Sequence, residues 1–190
     1  MIRIETEAPA EAGARENLLD LAFGRRRSAK TSQRLRDDRL PADGLAYSAK
    51  TASGRVVGTV RLWHISAGAK YPALLLGPLA VHPSFRRKGI GSALVCEALA
   101  KAKALGHAAV LLVGDEPFYR RFGFCRTLTE QLRLPGPFDR DRFLGLELVS
   151  GALAGARGIV VATGAVAAAS AAALPTAAPR RLTPRARHVS

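Results

Sequence analysis

Apolar and polar positions alternate at the very start of the chain, with Ile2 and Ile4 set against Arg3 and Glu5. A period of about two predicts a short strand over residues 2–7. From Pro9 to about Ala22 the pattern turns helical, with Leu18, Leu19 and Phe23 on or near one face. Leu45 to Thr51 and Val56 to Ile65 read as two strands around the turn Ser53-Gly54-Arg55, a hairpin with Val57, Thr59, Arg61 and Trp63 on one face. Gly68 to Pro72 is expected to be a loop. Leu74 to Val81 is apolar almost throughout, as a central strand covered on both faces would be. Leu94, Val95, Ala98, Leu99 and Ala102 then mark a helical stripe over residues 91–105, with Gly106 as its stop. Ala108 to Val113 is a second buried strand. A helix joins it to the Leu74–Val81 strand, so the two should lie parallel in a right-handed β-α-β unit. Pro117 and Gly123 bound a short helix. Segments 128–134 and 143–149 are expected to pair as a hairpin that closes the sheet.

One junction in this pattern has chemistry in it. The Leu74–Val81 strand runs into His82-Pro83-Ser84-Phe85-Arg86-Arg87-Lys88-Gly89-Ile90-Gly91-Ser92 and then directly into the helix. The first turn of a helix carries N–H groups with no intrahelical partner, at the positive end of the helix dipole. Glycines let the chain turn sharply and let a phosphate approach the backbone. Arg86, Arg87 and Lys88 add full charges. The junction is therefore a candidate anion site. It lacks the third glycine of a dinucleotide-binding loop, since position 94 is Leu94, and nothing in it matches a P-loop.

Arg86-Arg87-Lys88-Gly89-Ile90-Gly91 resembles the acetyl-CoA signature of the GNAT N-acetyltransferases: Gln or Arg, two residues, Gly, one residue, Gly or Ala. Leu79-Ala80-Val81-His82-Pro83 resembles the end of the GNAT strand that precedes that loop. Tyr119-Arg120-Arg121-Phe122-Gly123-Phe124 matches the family's "Y-x-x-x-G-F". Phe23-Gly24, Ala29-Lys30-Thr31 and Gly114-Asp115 look most like an uncharacterised bacterial branch of acetyltransferases. The resemblance covers about residues 2–150 and is weakest before Tyr47.

What this resemblance implies is an α/β (α+β) domain at residues 1–150 with the GNAT fold. Its mixed central sheet is flanked by helices and splays apart between two parallel strands. The implied activity is N-acetyl transfer from acetyl-CoA, as co-substrate, to a primary amine of a small molecule or peptide. The pantetheine arm would pair with the splayed strand at Leu79, Ala80 and Val81. The pyrophosphate would meet the loop Arg86, Arg87, Lys88, Gly89, Ile90, Gly91 and Ser92. The N–H of Leu79 or a neighbour would stabilise the oxyanion. Tyr119 stands where the family keeps the general acid that protonates the departing thiolate; the competing reading is a core aromatic beside Phe118 and Phe122. No general base stands out, because the central strand has no acid. His64, His82, Asp115 and Glu116 are the candidates, with His82 better suited to shaping the loop and Asp115 to capping the short helix.

Charge changes this picture at one point. The chain has 29 Lys and Arg against 15 Asp and Glu, a formal charge of +14. That suits an anionic ligand such as CoA, and it suits nucleic acid or an acidic partner equally well. A basic nucleic-acid-binding protein on the same scaffold is thus the alternative, though not the favoured one. Seven basic residues lie between Arg25 and Arg39; they read first as a solvated basic helix and loop. Cys96 and Cys125, the only two cysteines, make no metal-ligand pattern and read as buried free thiols, and no metal is expected. After Ser150 an Ala-rich run over 158–174 passes into an Arg/Pro-rich end. Residues 151–190 therefore read as a flexible tail, dispensable after about Gly155, with no membrane helix. No secretory leader is visible, which points to the cytoplasm. A monomer or homodimer is expected.

Overall fold

The computed structural model describes residues 1–24, 27 and 31–167. Strand β1 is Ile2–Thr6, and a turn of 3-10 helix at Pro9–Glu11 leads into α1, Ala12–Phe23. β2 (Ala46–Thr51) and β3 (Val56–Ala67) form the expected hairpin, in register Tyr47↔Val60 and Ser48↔Thr59. β1 adds to the outer edge of β2. β4 is Tyr71–Leu76, β5 is Ala80–Val81, α2 is Ile90–Ala104 and β6 is Ala109–Val113. The short α3, Glu116–Tyr119, runs into a 3-10 turn at Arg120–Phe122 and stops at Gly123, whose φ is 92°. β7 is Leu132–Arg133, β8 is Phe143–Glu147, β9 is Gly158–Ile159 and β10 is Val161–Ala162. The main sheet runs β1-β2-β3-β4-β6-β8, mixed in direction, with β5 and β10 also on β3.

Alternation along the central strands explains why this sheet sits between two apolar layers. Leu74, Leu76, Val110 and Leu112 point to the face covered by α2 through Leu94, Val95, Ala98 and Ala102. Leu75, Ala73, Leu111 and Ala109 point to the other face, against Leu132, Leu134, Phe143, Leu153 and Val160. Both faces of β4 and β6 are therefore dry, as their unbroken apolar sequence requires. α2 packs tightly on β3 because Gly58 lies beneath it: a Cβ there would meet Leu94 at 3.0 Å and Ile90 at 3.1 Å.

The expected single strand Leu74–Val81 is two strands. Gly77 has φ +128° and is followed by a cis peptide to Pro78, which has no N–H to give to a ladder. β4 pairs with β6, in parallel, at Leu74↔Val110 and Leu75↔Leu111. β5 pairs with β3 at Gly58↔Val81 and Thr59↔Ala80. Past Leu75 the β4–β5 edge and β6 part, and a wedge opens between them.

Other expectations need correction. Segments 128–134 and 143–149 do not form a hairpin. β8 closes the sheet alone, antiparallel to β6, while β7 pairs in parallel with β9. The boundary placed at residue 150 falls within packed structure, because Leu153, Ala156 and Val160 lie in the second core and β10 pairs with β3 at Val161↔Ser66. The short apolar positions of 151–163 carry no regular period, so no sequence pattern marks them. Residues 168–190 lie outside the described residues. Cys96 is exposed on α2, not buried, and Cys125 is half-buried. In the basic segment, Arg27 pairs with Glu16 and Asp20, Arg34 donates to the Pro135 carbonyl and Arg39 to the Gly164 carbonyl. These arginines bind the fold's own groups; Arg25, Arg26 and Lys30 lie outside the described residues.

Candidate active site

The strand-to-helix junction forms the floor of a cleft of about 550 Å³. His82 starts a 3-10 turn over Pro83–Phe85: its Nδ1 accepts from the Ser84 N–H at 3.3 Å, and its Nε2 lies 2.9 Å from Arg55 Nη2. Arg87 and Gly89 then take positive φ, 60° and 77°, and aim the chain into α2. The Ala93 N–H bonds the Gly89 carbonyl at 2.9 Å and opens the helical ladder. The amides of Ile90, Gly91 and Ser92 precede it and have no intrahelical acceptor. Arg86, Arg87 and Arg121 line the cleft with their cations, and Arg121 lies 4.2 Å over the Phe118 ring. At Gly91 a Cβ would meet Val81 at 3.6 Å and Phe118 at 3.7 Å, ordinary contact, so Gly or Ala fits the fold there.

Tyr119 closes the inner end of the cleft. α3 delivers it, and rings hold it on three sides: Phe118 at 4.9 Å edge-on, Phe124 at 5.8 Å and Phe122 at 6.5 Å. Its relative exposure is 9%. Burial pushes its hydroxyl up to about 12, with nearby Arg142 opposing and Asp115 reinforcing the shift. The group therefore keeps its proton through the whole neutral and mildly alkaline range. Its hydroxyl has no hydrogen-bond partner among the described residues. The Leu79 N–H likewise has no acceptor among the described residues.

A second cavity of about 250 Å³ opens beyond the wedge, at the break between β4 and β5. Leu79, Asp115 and Tyr119 line both cavities. Arg36 and Gly77 line the second at the strand break, and Arg142 lines it beside Gly114, whose N–H bonds the Arg142 carbonyl at 2.8 Å. Two compartments thus meet at Leu79, Asp115 and Tyr119.

The sequence profile of the acetyltransferase (GNAT) domain matches residues 43–126. The chain is 32% identical over 158 residues to the uncharacterised N-acetyltransferase YhbS of Escherichia coli K12, covering 83% of this chain and 93% of that protein. The chain belongs to the GNAT N-acetyltransferase family. Among solved GNAT structures, that of E. coli YhbS in complex with CoA superposes with a TM-score of 0.73 at 31% identity, over 85% of this chain and 89% of that one. A GNAT acetyltransferase from Brucella melitensis, in complex with acetyl-CoA, follows at 0.59 and 25%, covering 90% and 97%.

Of the GNAT positions expected from sequence, Leu79, Val81, Arg86, Arg87, Gly89, Ile90, Gly91, Ser92 and Tyr119 line the larger cleft. Ala80 is buried behind it, against Leu18 and Leu19, and Lys88 lies outside it with its ammonium 5.2 Å from the Phe85 ring. Among the base candidates, only Asp115 reaches the cavities. His64 packs against His107 at 5.4 Å on another part of the sheet, and Glu116 pairs loosely with Arg120 at 3.5 Å. Asp115 sits at the N-cap of α3 without a side-chain capping bond, so its carboxylate is not used up there. Sequence reasoning missed Phe85, Phe118 and Arg121 in the cleft. The last two lie within or beside the Tyr119–Phe124 motif, which was the signal available. It also missed Arg36 and Arg142, which no motif marks.

Among the described residues no helix is long and apolar enough to cross a membrane.

Proposed function

We propose that this GNAT protein moves the acetyl group of acetyl-CoA to a primary amine by direct attack. The larger cleft takes CoA: its pyrophosphate suits the free amides of Ile90–Ser92 with Arg86 and Arg87, where fixed dipoles and full charges point the same way. The pantetheine amides suit the unpaired edge of β5, which a strand-like ligand can extend. The second cavity takes the acceptor. The observation that carries this reading is the shared lining, Leu79, Asp115 and Tyr119, at the junction between the two compartments.

At that junction the amine nitrogen, carrying its lone pair, adds to the thioester carbonyl carbon. The C=O electrons move onto oxygen, within reach of the free Leu79 N–H, an oxyanion donor that needs no rearrangement. The C–S bond then breaks, the carbonyl reforms as an amide, and the thiolate takes the Tyr119 proton. The phenolate left behind regains a proton from the product ammonium or from water. Burial serves Tyr119 by keeping it neutral before the C–S bond breaks. Asp115 makes no capping bond and lines both cavities, which supports it as the carboxylate that takes the first proton from the amine.

Tyr119→Phe tests this. The ring and its packing stay, and only the donor goes. General acids typically contribute about 100- to 10,000-fold, so kcat should fall at least roughly tenfold while CoA affinity by calorimetry stays the same. An unchanged kcat would return Tyr119 to the role of a core aromatic. A raised KM for acetyl-CoA alone would make it a cofactor contact.

A further inference from the structure

We infer that the acceptor carries an oxyanionic group, a carboxylate or a phosphate, which the second cavity binds through Arg36 with help from Arg142. This rests on the reading of that cavity as the acceptor site. Arg36 is half-buried, and its Nε is fully buried with no hydrogen-bond partner. Among the described residues its only side-chain bond is a long one, Nη2 to Ser32 Oγ at 3.4 Å. Among the described residues no carboxylate lies within ion-pair distance of it. The neighbouring Asp37 is exposed and accepts instead from Gln33 Nε2 at 2.8 Å. The guanidinium reaches over the strand break, with Nη1 3.6 Å from where a Gly77 Cβ would stand. That is ordinary contact distance; it is the φ of +128°, not space, that favours glycine at position 77.

Burying a cation without a partner costs several kcal/mol, which a fold rarely tolerates without use. Desolvation pushes Arg36 down to about 10, a large displacement for a guanidinium. The cavity's charge balance points the same way. Arg27 also lines it but is neutralised by Glu16 and Asp20. Arg142 has no side-chain partner among the described residues. The unpaired charges are thus Arg36 and Arg142 against Asp115. Asp115 lies at the reaction junction and Arg36 at the Gly77 end. That is a dipolar cavity: its acidic end faces the thioester and suits an amine, and its basic end suits an anion. A planar guanidinium whose Nη1 makes no bond among the described residues, and whose Nη2 makes only the long one to Ser32, offers a two-point fork for two oxygens of one oxyanion.

The test follows CoA release by the full-length chain with matched acceptor pairs: α-, β- and γ-amino carboxylates against their carboxamides, and O-phosphoethanolamine against ethanolamine. Each pair is compared in the wild type and in Arg36→Met, which keeps an apolar stem of similar length. Taking the ratio across the variant cancels differences in amine basicity. In the wild type one anionic series should lead, which tells carboxylate from phosphate. In Arg36→Met its kcat/KM should drop roughly 10- to 100-fold, the size of a lost charge-assisted hydrogen bond, with the neutral partner within about threefold. Arg142→Gln, at an exposed position and so without risk to the fold, should lower the same preference by a smaller factor. Calorimetry with the CoA-saturated protein gives a second readout: the leading anion should bind the wild type and not Arg36→Met. A wild type that acetylates neutral amines as well as anionic ones, or a preference unchanged in Arg36→Met, would overturn the anion site and leave the transferase intact. Anion binding lost in Arg36→Met, without any acetyl transfer, would uphold the anion site and overturn the transferase reading.

Discussion

Gly114→Ala should disable the acid without touching it. Gly114 is the residue after β6, buried, with its N–H held by the Arg142 carbonyl at 2.8 Å. Its backbone lies outside the left-handed region, so alanine can adopt it. The obstacle is space. A Cβ there would stand 2.2 Å from Tyr119 Cε2 and 2.7 Å from Cδ2, with Leu112 Cδ1 at 3.0 Å on the other side. To reach ordinary contact at 3.4 Å the ring must retreat by about 1.2 Å, and Phe118 and Phe124 limit where it can go. A misplacement of about 1 Å in a reacting group can cost about 100-fold, or roughly 2.7 kcal/mol of barrier. Overpacking should also lower stability by about 1–3 kcal/mol. The assay is CoA release on the best acceptor, with CoA affinity measured by calorimetry, since the Arg86–Ser92 loop lies on the other strand and should be unaffected. The decisive measurement is the double variant. If alanine acts by displacing the Tyr119 hydroxyl, it should cost little more in a Tyr119→Phe background, because the donor is already gone. Losses that multiply, or a Gly114→Ala kcat within about threefold of wild type, would refute the reasoning.

Other outcomes follow from the same structure. Gly89→Val should weaken CoA binding by calorimetry because φ is 77° there; no protein atom lies within 4 Å of a Cβ at that position, so the cost is conformational or falls on the ligand itself. Glu7→Ala should lower the unfolding free energy by about 3–5 kcal/mol in urea titrations, since the Glu7 carboxylate is 3% exposed and its loss strands Arg61 and leaves Arg15 with Glu16 alone. Ending the chain at Gly155 should lower Tm by at least about 3–6 °C, because it removes the fully buried Val160 together with β9 and β10. Above pH of about 10 the unfolded Tyr119 ionises while the folded one waits until about 12, so stability should fall as pH rises through that window, and Tyr119→Phe should lose that part of the decline in Tm.

The cofactor half of the site was legible in the sequence because local geometry makes it. A helix start, two glycines and neighbouring cations are contiguous, so Arg86, Arg87, Gly89, Ile90, Gly91 and Ser92 could be named from their order, and the resemblance to GNAT motifs added Leu79, Val81 and Tyr119; Phe85 and Phe118 were missed. The acceptor half was not legible. Arg36, Gly77 and Arg142 are far apart in sequence and meet only because the sheet breaks at Gly77 and the 31–36 segment folds over the break. Arg36 looked like one more member of a basic run, since nothing in a sequence distinguishes a guanidinium in water from one in a wall. The hairpin and the β-α-β unit were readable from periodicity. The segment 151–167 was not, because strands of two residues are too short to show a period, and they hold by closing onto edges made elsewhere.

That last arrangement also sets an order of assembly. A chain made from its N-terminus presents β3 early, but the pairing Val161↔Ser66 and the burial of Val160 wait for residues almost a hundred positions later. Until then Trp63, Ile65 and Leu75, on the face those residues cover, lack part of their shield. Contacts that close such long loops are formed late and slow folding. The nascent chain should therefore bear a sticky, half-covered sheet for much of its synthesis, and the holding chaperones that bind such surfaces should find it there rather than at the finished domain.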